Sequence, residues 1–309
     1  TRFPNLLPVV IDGIEVRCQS DAFCAQGFCP WFSDPGARHG GFLSDDRVLS
    51  SRMRTGYKVE RFIIFHHLAY LRPYHIQARP ELSGLQGFIM KKKLLLTGAD
   101  GFIGRHSIKR LLNRGYEVHA ISRDNRSFHE QAPNLLWHTC DLLDTNQQKS
   151  LVERIKPTHL LHFAWVTTPG EYWTSLENVR WIQTSLELLV NFINCGGKRV
   201  VFAGTCAEYD WDYDGYFSEE TTPLKPRTLY GASKKCLQEL FSVLCKQASV
   251  SSAWGRIFFL YGPHENPRRL VPSVINSIEK GETARCTHGH QIRDFLFVED
   301  AAFAFVDIL

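Results

Sequence analysis

The sequence predicts an α/β fold, a doubly wound parallel sheet, and two observations predict it. From Met90 onward, short apolar runs alternate with amphipathic stretches of helical length. The first of these runs, Leu94 to Leu96, enters the pattern Gly98-x-x-Gly101-x-x-Gly104 and passes directly into a helix. Strands alternating with helices on this spacing imply parallel neighbours joined by right-handed crossovers, with ligands at the carboxyl ends of the strands.

Residues 1–89 come first and fit no pattern. Cys18, Cys24 and Cys29 match no common zinc spacing, and Pro30, Pro35, Gly36, Gly40 and Gly41 interrupt the middle. Arg61 to Leu71 is apolar enough for one buried strand or helix. His66, His67 and His75 read either as ligands to a metal with Cys24 or Cys29, or as scattered histidines. The segment is an N-terminal extension without an assigned role: the tail of another domain, a poorly ordered extension, or upstream sequence joined by a wrong gene boundary. The opening Thr1 leaves room for a fragment or a processed product.

Residues 90–309 are regular. Leu94 to Leu96 forms the first strand; Ile103 to Arg114 reads as a helix closed by Gly115. Tyr116 to Ile121 and Leu135 to Thr139 are the second and third strands. Gln147 to Ile155 is a helix stopped by Pro157. His159 to Ala164 is a fourth strand, followed by a long helix over Trp173 to Ile193 and by Gly196-Gly197. Arg199 to Ala203 is the fifth strand, Leu229 to Gln247 a helix, and Ala253 to Leu260 the sixth strand.

Composition sets the class. The chain has 309 residues, 44% hydrophobic and 22% charged, enough for a packed core. A net charge of +4 is too small to argue for nucleic acid. No stretch is long and apolar enough for a membrane span, and no signal peptide is visible. Nine cysteines carry no CxxC pair; Cys140, Cys195, Cys206, Cys236 and Cys245 read as reduced, buried residues of a cytoplasmic protein.

The glycine turn carries the first chemistry. Glycines let the backbone turn sharply and approach a pyrophosphate, and the next helix N-terminus directs free N–H groups at it. Tyr230 and Lys234 carry the second. Spaced four apart, they share one helix face. An ammonium beside the phenol, together with an oxidised nicotinamide, would favour the phenolate and bring its ordinary value near 10 toward neutrality. Thr205 comes after the fifth strand and would meet the same substrate oxygen; its other reading is a strand-end threonine in a turn.

With these residues in hand, a resemblance is plain. Residues 90–309 resemble the extended short-chain dehydrogenase/reductases, in the NAD-dependent epimerase/dehydratase, nucleotide-sugar branch. The matches are TGADGFIG (Thr97 to Gly104), DLLD (Asp141 to Asp144), LLHFAW (Leu160 to Trp165), GTCAEY (Gly204 to Tyr209), YGASK (Tyr230 to Lys234), RIFFLYGP (Arg256 to Pro263) and RDFLFVED (Arg293 to Asp300), in the family's order. The resemblance implies a Rossmann sheet and a nucleotide-sugar substrate. It also implies a small C-terminal substrate domain that stops short at Leu309.

The resemblance implies roles as well. Gly98, Gly101 and Gly104 would hold the pyrophosphate, with Phe102 and Ile103 at the helix start. Asp141 and Leu142 would bracket the adenine, and Phe163 and Ala164 would line the path under the nicotinamide ribose. Thr205, Tyr230 and Lys234 would be catalytic, Lys234 also holding ribose hydroxyls. Arg293 would grip the substrate diphosphate, an anion that suits its fork; its alternative is an ion pair with Asp294 or Glu299. Relatives pair as dimers through the helices after the fourth and fifth strands, and the apolar positions of Leu186 to Phe192 and Leu237 to Leu244 permit a homodimer.

Three stretches depart from the family pattern. Ser122-Arg123 stands where an acidic residue would bind the adenine ribose. Arg123 either accepts a 2′-phosphate, favouring NADP slightly over NAD, or is a solvated loop residue. Cys206 and Ala207 replace the acid–base pair of 4,6-dehydratases, leaving epimerisation or 4-keto reduction at C4, with Arg123 leaning to reduction. Phe258-Phe259-Leu260 replaces the stretch where relatives carry a substrate-contacting asparagine. Trp165 reads as pocket wall or as core, and Asp210 to Gly215 as a cover over the sugar.

Overall fold

The computed structural model describes residues 9–11, 14–16, 92–124, 131–287, 289 and 291–309. The metal-ligand reading of His66, His67 and His75 lies outside the described residues. The described residues belong to one compact unit, Thr1–Cys18 with Met90–Leu309.

Two short strands, β1 (Val9–Ile11) and β2 (Ile14–Val16), pair antiparallel. The main sheet comprises β3 (Lys93–Thr97), β4 (Glu117–Ser122), β5 (Leu135–Thr139), β6 (His159–His162), β7 (Arg199–Thr205) and β8 (Ser251–Ile257). All six are parallel, in the order β5-β4-β3-β6-β7-β8. The order reverses between β3 and β6, so a crevice opens at their carboxyl ends.

Side-chain alternation on β3 explains why the sheet is covered on both faces. Leu95 joins Leu160, Val200 and Phe202 on one side. Against them pack α2 (Thr145–Ile155), α3 (Glu177–Asn194) and α4 (Leu229–Gln247) through Leu151, Leu188, Phe192, Leu237 and Phe241. Leu94 and Leu96 face the other way with Val118, Leu161 and Val201. There α1 (Gly104–Asn113) and a C-terminal helix cover them through Ile108, Leu111, Phe305 and Val306. Such doubly buried strands read as continuous apolar runs, which makes them visible in the sequence.

β9 (Phe259–Tyr261) pairs parallel with β11 (Phe295–Phe297), and α5 (Leu270–Glu279) lies between them in sequence. β10 (Arg285–Cys286) pairs parallel with β1. The C-terminal helix, α6 (Val298–Asp307), is clamped to α1 by Asp307, which accepts from Arg110 at 2.6 and 2.9 Å and from Arg114 at 2.6 Å.

Most predicted bounds hold within a few residues, and three readings are corrected: the expected sixth strand, Ala253 to Leu260, divides into β8, which ends at Ile257 in the main sheet, and β9, which pairs with β11 in a separate one. The long helix begins at Glu177, not Trp173, because Gly170 turns the chain at φ 86° and the next residues form turns. Cys236 is exposed and Cys195 half-buried, whereas Cys140, Cys206 and Cys245 are buried.

Candidate active site at the carboxyl end of the sheet

The glycine turn is built for close approach. Gly98 has φ +63°, and a Cβ there would stand 2.9 Å from the Ala164 amide nitrogen. A Cβ on Gly104 would come within 2.1 Å of the Gly98 carbonyl oxygen. The turn therefore presses against the end of β6 and against the start of α1, and no side chain fits between. No side chain caps the α1 N-terminus, and its first turn carries no acidic residue. The Arg105 and His106 amides donate to the Gly101 and Ile103 carbonyls at 3.3 and 3.1 Å, and the positive end of the helix dipole faces the glycine turn. Phe102 and Ile103 stand at that helix start, and Ile103 is the N-cap.

A buried polar chain fixes this corner. The Ala164 amide donates to Thr97 Oγ1 at 3.2 Å, Thr97 Oγ1 lies 2.7 Å from His162 Nδ1, and His162 Nε2 lies 3.0 Å from Ser185 Oγ on α3. Burial drives the His162 pKa down to about 3, so the ring is neutral. Phe163 packs edge-on against Phe305 at 5.0 Å. Asp141 turns back on itself, accepting from the Leu143 amide at 3.0 Å, and Leu142 is buried.

At the end of β4, Arg123 points into solvent with its side chain 76% exposed and its Nε 3.9 Å from Asp124 Oδ1. Ser122, by contrast, is buried and donates to Asp100 Oδ2 at 2.7 Å. Asp100 thus brings a carboxylate from the glycine turn to the end of β4.

The three proposed catalytic side chains converge beyond β7. Thr205 ends β7 and caps a single 3-10 turn, Cys206–Glu208, its Oγ1 accepting from the Ala207 amide at 3.2 Å. Tyr230 lies in the first turn of α4, whose N-cap Thr228 accepts from the Gly231 amide at 3.1 Å. Burial pushes the Tyr230 phenol up, and a hydrogen bond with Thr205 works against that. Lys234 is also buried; its Nζ donates to the Ala203 carbonyl at 3.0 Å and sits 3.7 Å from the Trp165 ring centroid. Burial brings its pKa down to about 7, and Glu208 opposes the shift. The phenol is therefore raised, not lowered as expected beside Lys234: desolvation is the leading cause for both groups.

Trp165 resolves as core, holding Lys234 from below and donating through Nε1 to the buried Asn178 Oδ1 at 2.8 Å. Asn178 in turn donates to the Tyr172 carbonyl at 2.7 Å. Tyr172 and Trp173 pack edge-on against the Tyr230 ring, at 4.9 and 5.8 Å. Arg269 stands 5.7 Å over Tyr172. Close by in sequence, Glu265 keeps one carboxylate oxygen buried without a hydrogen-bond partner, and burial pushes its pKa up to about 7.

Glu208 is a residue that the motifs alone do not single out. It is fully buried and accepts from the Thr205 amide at 2.9 Å, from Trp254 Nε1 at 3.1 Å and from Arg256 Nε at 2.6 Å. The capping-box spacing from Thr205 to Glu208 is the available signal. Positions 206 and 207 offer no carboxylate, and burial holds the Cys206 thiol neutral by pushing it up to about 11.

Arg293 pairs with neither Asp294 nor Glu299 among the described residues. It lies 5.3 Å over Trp211 and 5.2 Å over Phe259 and faces Cys206. Trp211 belongs to the acidic loop, and its Nε1 donates to the Cys206 carbonyl at 3.0 Å. Lys225 and Arg227 pair with Asp210 and Asp212 of the same loop. Among the described residues no helix is long and apolar enough to cross a membrane, and no cluster of side chains fits a metal ion.

Known proteins are similar to this chain in sequence and fold. CDP-abequose synthase of Salmonella typhimurium is 25% identical over 222 residues, covering 71% of this chain and 71% of that protein. The dTDP-6-deoxy-L-talose 4-dehydrogenase (NAD(+)) of Aggregatibacter actinomycetemcomitans is 26% identical over 212 residues, covering 67% of this chain and 76% of its own length. Among solved structures, UDP-glucose 4-epimerase of Thermus thermophilus in complex with NAD superposes with a TM-score of 0.59 at 26% identity, over 70% of this chain and 74% of that one. Residues 94–309 match the NAD dependent epimerase/dehydratase family, and the chain belongs to it.

Proposed function

We propose that this chain is an NAD(P)-dependent enzyme acting at C4 of a nucleotide-activated sugar, as a 4-epimerase or a 4-ketoreductase, with Tyr230 as acid/base. The observation that carries the reading is the placement of Thr205, at the carboxyl end of β7, beside the buried phenol of Tyr230, where it works against the effect of burial. The relatives support it by name: two are a 4-dehydrogenase and a 4-epimerase of sugar nucleotides.

The glycine turn is compatible with a dinucleotide: with no Cβ at Gly98 or Gly104 its backbone packs directly against the end of β6 and the start of α1, leaving a tight, side-chain-free turn. Gly98, Gly101 and Gly104 with the α1 N-terminus would hold the pyrophosphate, Asp141 and Leu142 the adenine, and Phe163 and Ala164 the path beneath the second ribose. When bound, the nicotinamide takes or gives the hydride. Thr205 shares a hydrogen bond with the sugar O4 and orients it. Tyr230 passes a proton to O4 or takes one from it. Lys234, with a pKa brought down to about 7, is poised to hold or release a proton behind them. Arg293, stacked over Trp211 and Phe259, would take the substrate diphosphate. Without carboxylates at 206 and 207, and with Glu208 engaged by Arg256, no side chain at those positions serves elimination across C5 and C6.

The test is turnover. Purified chain is given UDP-glucose with NAD, and separately dTDP-4-keto-6-deoxyglucose with NADH or NADPH, and product is followed by chromatography and absorbance at the nicotinamide band. Conversion by the wild type, lost by at least about 100-fold in Tyr230→Phe, is expected. Bound nicotinamide with no conversion of either sugar would favour a non-catalytic NAD(P)-binding protein instead.

We propose further that two copies pair through α3 and α4, where Val179, Val190, Leu240 and Val243 stand exposed. Light scattering of Leu240→Glu/Val243→Glu should give half the wild-type mass.

A further inference from the structure

We infer that Asp100, held by Ser122, makes this site select NAD(H) over NADP(H). The inference rests on the dinucleotide-binding role proposed for the glycine turn. In parallel nucleotide-binding sheets, the ribose 2′-hydroxyl is met by an acidic side chain about 20 residues past the glycine turn, at the end of the second strand. That place is occupied here by Ser122, the last residue of β4, which is only 2% exposed. A serine alone would leave the position neutral and open to a 2′-phosphate beside Arg123.

The structure fills the position from the other side. Ser122 Oγ donates to Asp100 Oδ2 at 2.7 Å, across 22 residues of sequence, and lies 3.1 Å from the Asp124 carbonyl. Asp100 sits inside the glycine turn itself, between Gly98 and Gly101, and is exposed at the sheet's carboxyl end. A carboxylate fixed by one oxygen keeps the other free to accept from a ribose hydroxyl. The same carboxylate repels a phosphate ester at that hydroxyl.

Two arginines among the described residues stand nearby, and neither pairs with the Asp100 carboxylate. Arg105 turns its guanidinium to the backbone carbonyls of Asp100 and Gly101. Arg123 is 76% exposed and stands beside Asp124. Among the described residues, Asp100 and Asp124 thus flank Ser122-Arg123 and offset the positive charge of Arg123.

Titration of NADH and NADPH against wild type, Asp100→Asn and Ser122→Ala, followed by nicotinamide fluorescence, tests the assignment. The wild type should bind NADH at least tenfold more tightly than NADPH. Asp100→Asn should bring the ratio near unity, chiefly by tightening NADPH, and Ser122→Ala should narrow it partway. Preference for NADPH in the wild type, or an unchanged ratio in Asp100→Asn, overturns the inference while leaving the dinucleotide site standing. Failure of the folded wild type to bind either nucleotide overturns both.

Discussion

Lys234 Nζ rests 3.7 Å from the centre of the Trp165 ring and 3.0 Å from the Ala203 carbonyl, so a buried ammonium is held by a π face and a backbone dipole. Neither partner replaces the water it has lost, and the pKa falls to about 7. Between that value and the unfolded one the unfolded chain binds the proton and the folded chain does not. Stability therefore rises with pH across that window and is flat below it. Lys234→Met keeps the stem without the charge. The variant should melt higher than wild type at pH 7, and the gap should close by about 1.4 kcal/mol per pH unit up to about pH 10. Calorimetry at a series of pH values from neutral to about pH 10 reads this directly; a constant gap contradicts it.

Glu208 and Arg256 form an ion pair whose side chains are 0% and 13% exposed. Glu208→Gln preserves an acceptor for the Thr205 amide but leaves the guanidinium uncompensated. It should cost about 3–5 kcal/mol in urea unfolding. Adding Arg256→Met should return most of that loss, since the isolated charge, not the missing contact, is what destabilises. If the double variant is as weak as the single, the pair is not acting as a unit.

Thiol chemistry should sort the described cysteines by environment. Cys236 is exposed, whereas burial pushes Cys140 and Cys206 up to about 11. Iodoacetamide at about pH 7.5 should label Cys236 at least tenfold faster than Cys206, as read by peptide mass spectrometry. Rapid labelling of Cys206 would mean that the thiol is activated and the site open to solvent.

His162 should make the fold acid-sensitive. Its folded pKa of about 3 lies below the ordinary value near 6.5, so the unfolded state takes up a proton first as pH falls. Stability is then lost progressively from about pH 6.5 downward, by about 1.4 kcal/mol per pH unit for this group. His138 and His159, each lowered to about 4, act in the same sense. In urea titrations His162→Gln should be less stable than wild type at neutral pH but lose stability more slowly between about pH 6.5 and about pH 4.5.

Much of this is legible in the sequence because it is local. Leu135–Thr139 and Leu229–Gln247 match their expected bounds, since β-pattern and caps are short-range signals. Trp173 lies outside the helix expected to begin with it, because an aromatic residue satisfies a helical apolar stripe as well as a pocket wall. Only its packing on Tyr230, beside Tyr172, tells the two apart. The four-residue spacing of Tyr230 and Lys234 announces a shared helix face. It cannot announce that the lysine turns to Ala203 and Trp165, partners distant in the chain. Glu208 and Asp100 escape notice in the sequence because a charged residue is ordinarily solvated; burial of the one and the serine bonded to the other make them informative.

The chain of Thr97, His162 and Ser185 ties the turn after β3 to the middle of α3 through one neutral ring. A substitution at Ser185, on the far side of the sheet from α1, would therefore be felt as a change in how the glycine turn is seated. The helix proposed to meet a second subunit and the loop proposed to meet a phosphate are joined by this one chain of hydrogen bonds. The buried Ser185 thus belongs to the seat of the glycine turn as much as to its own helix.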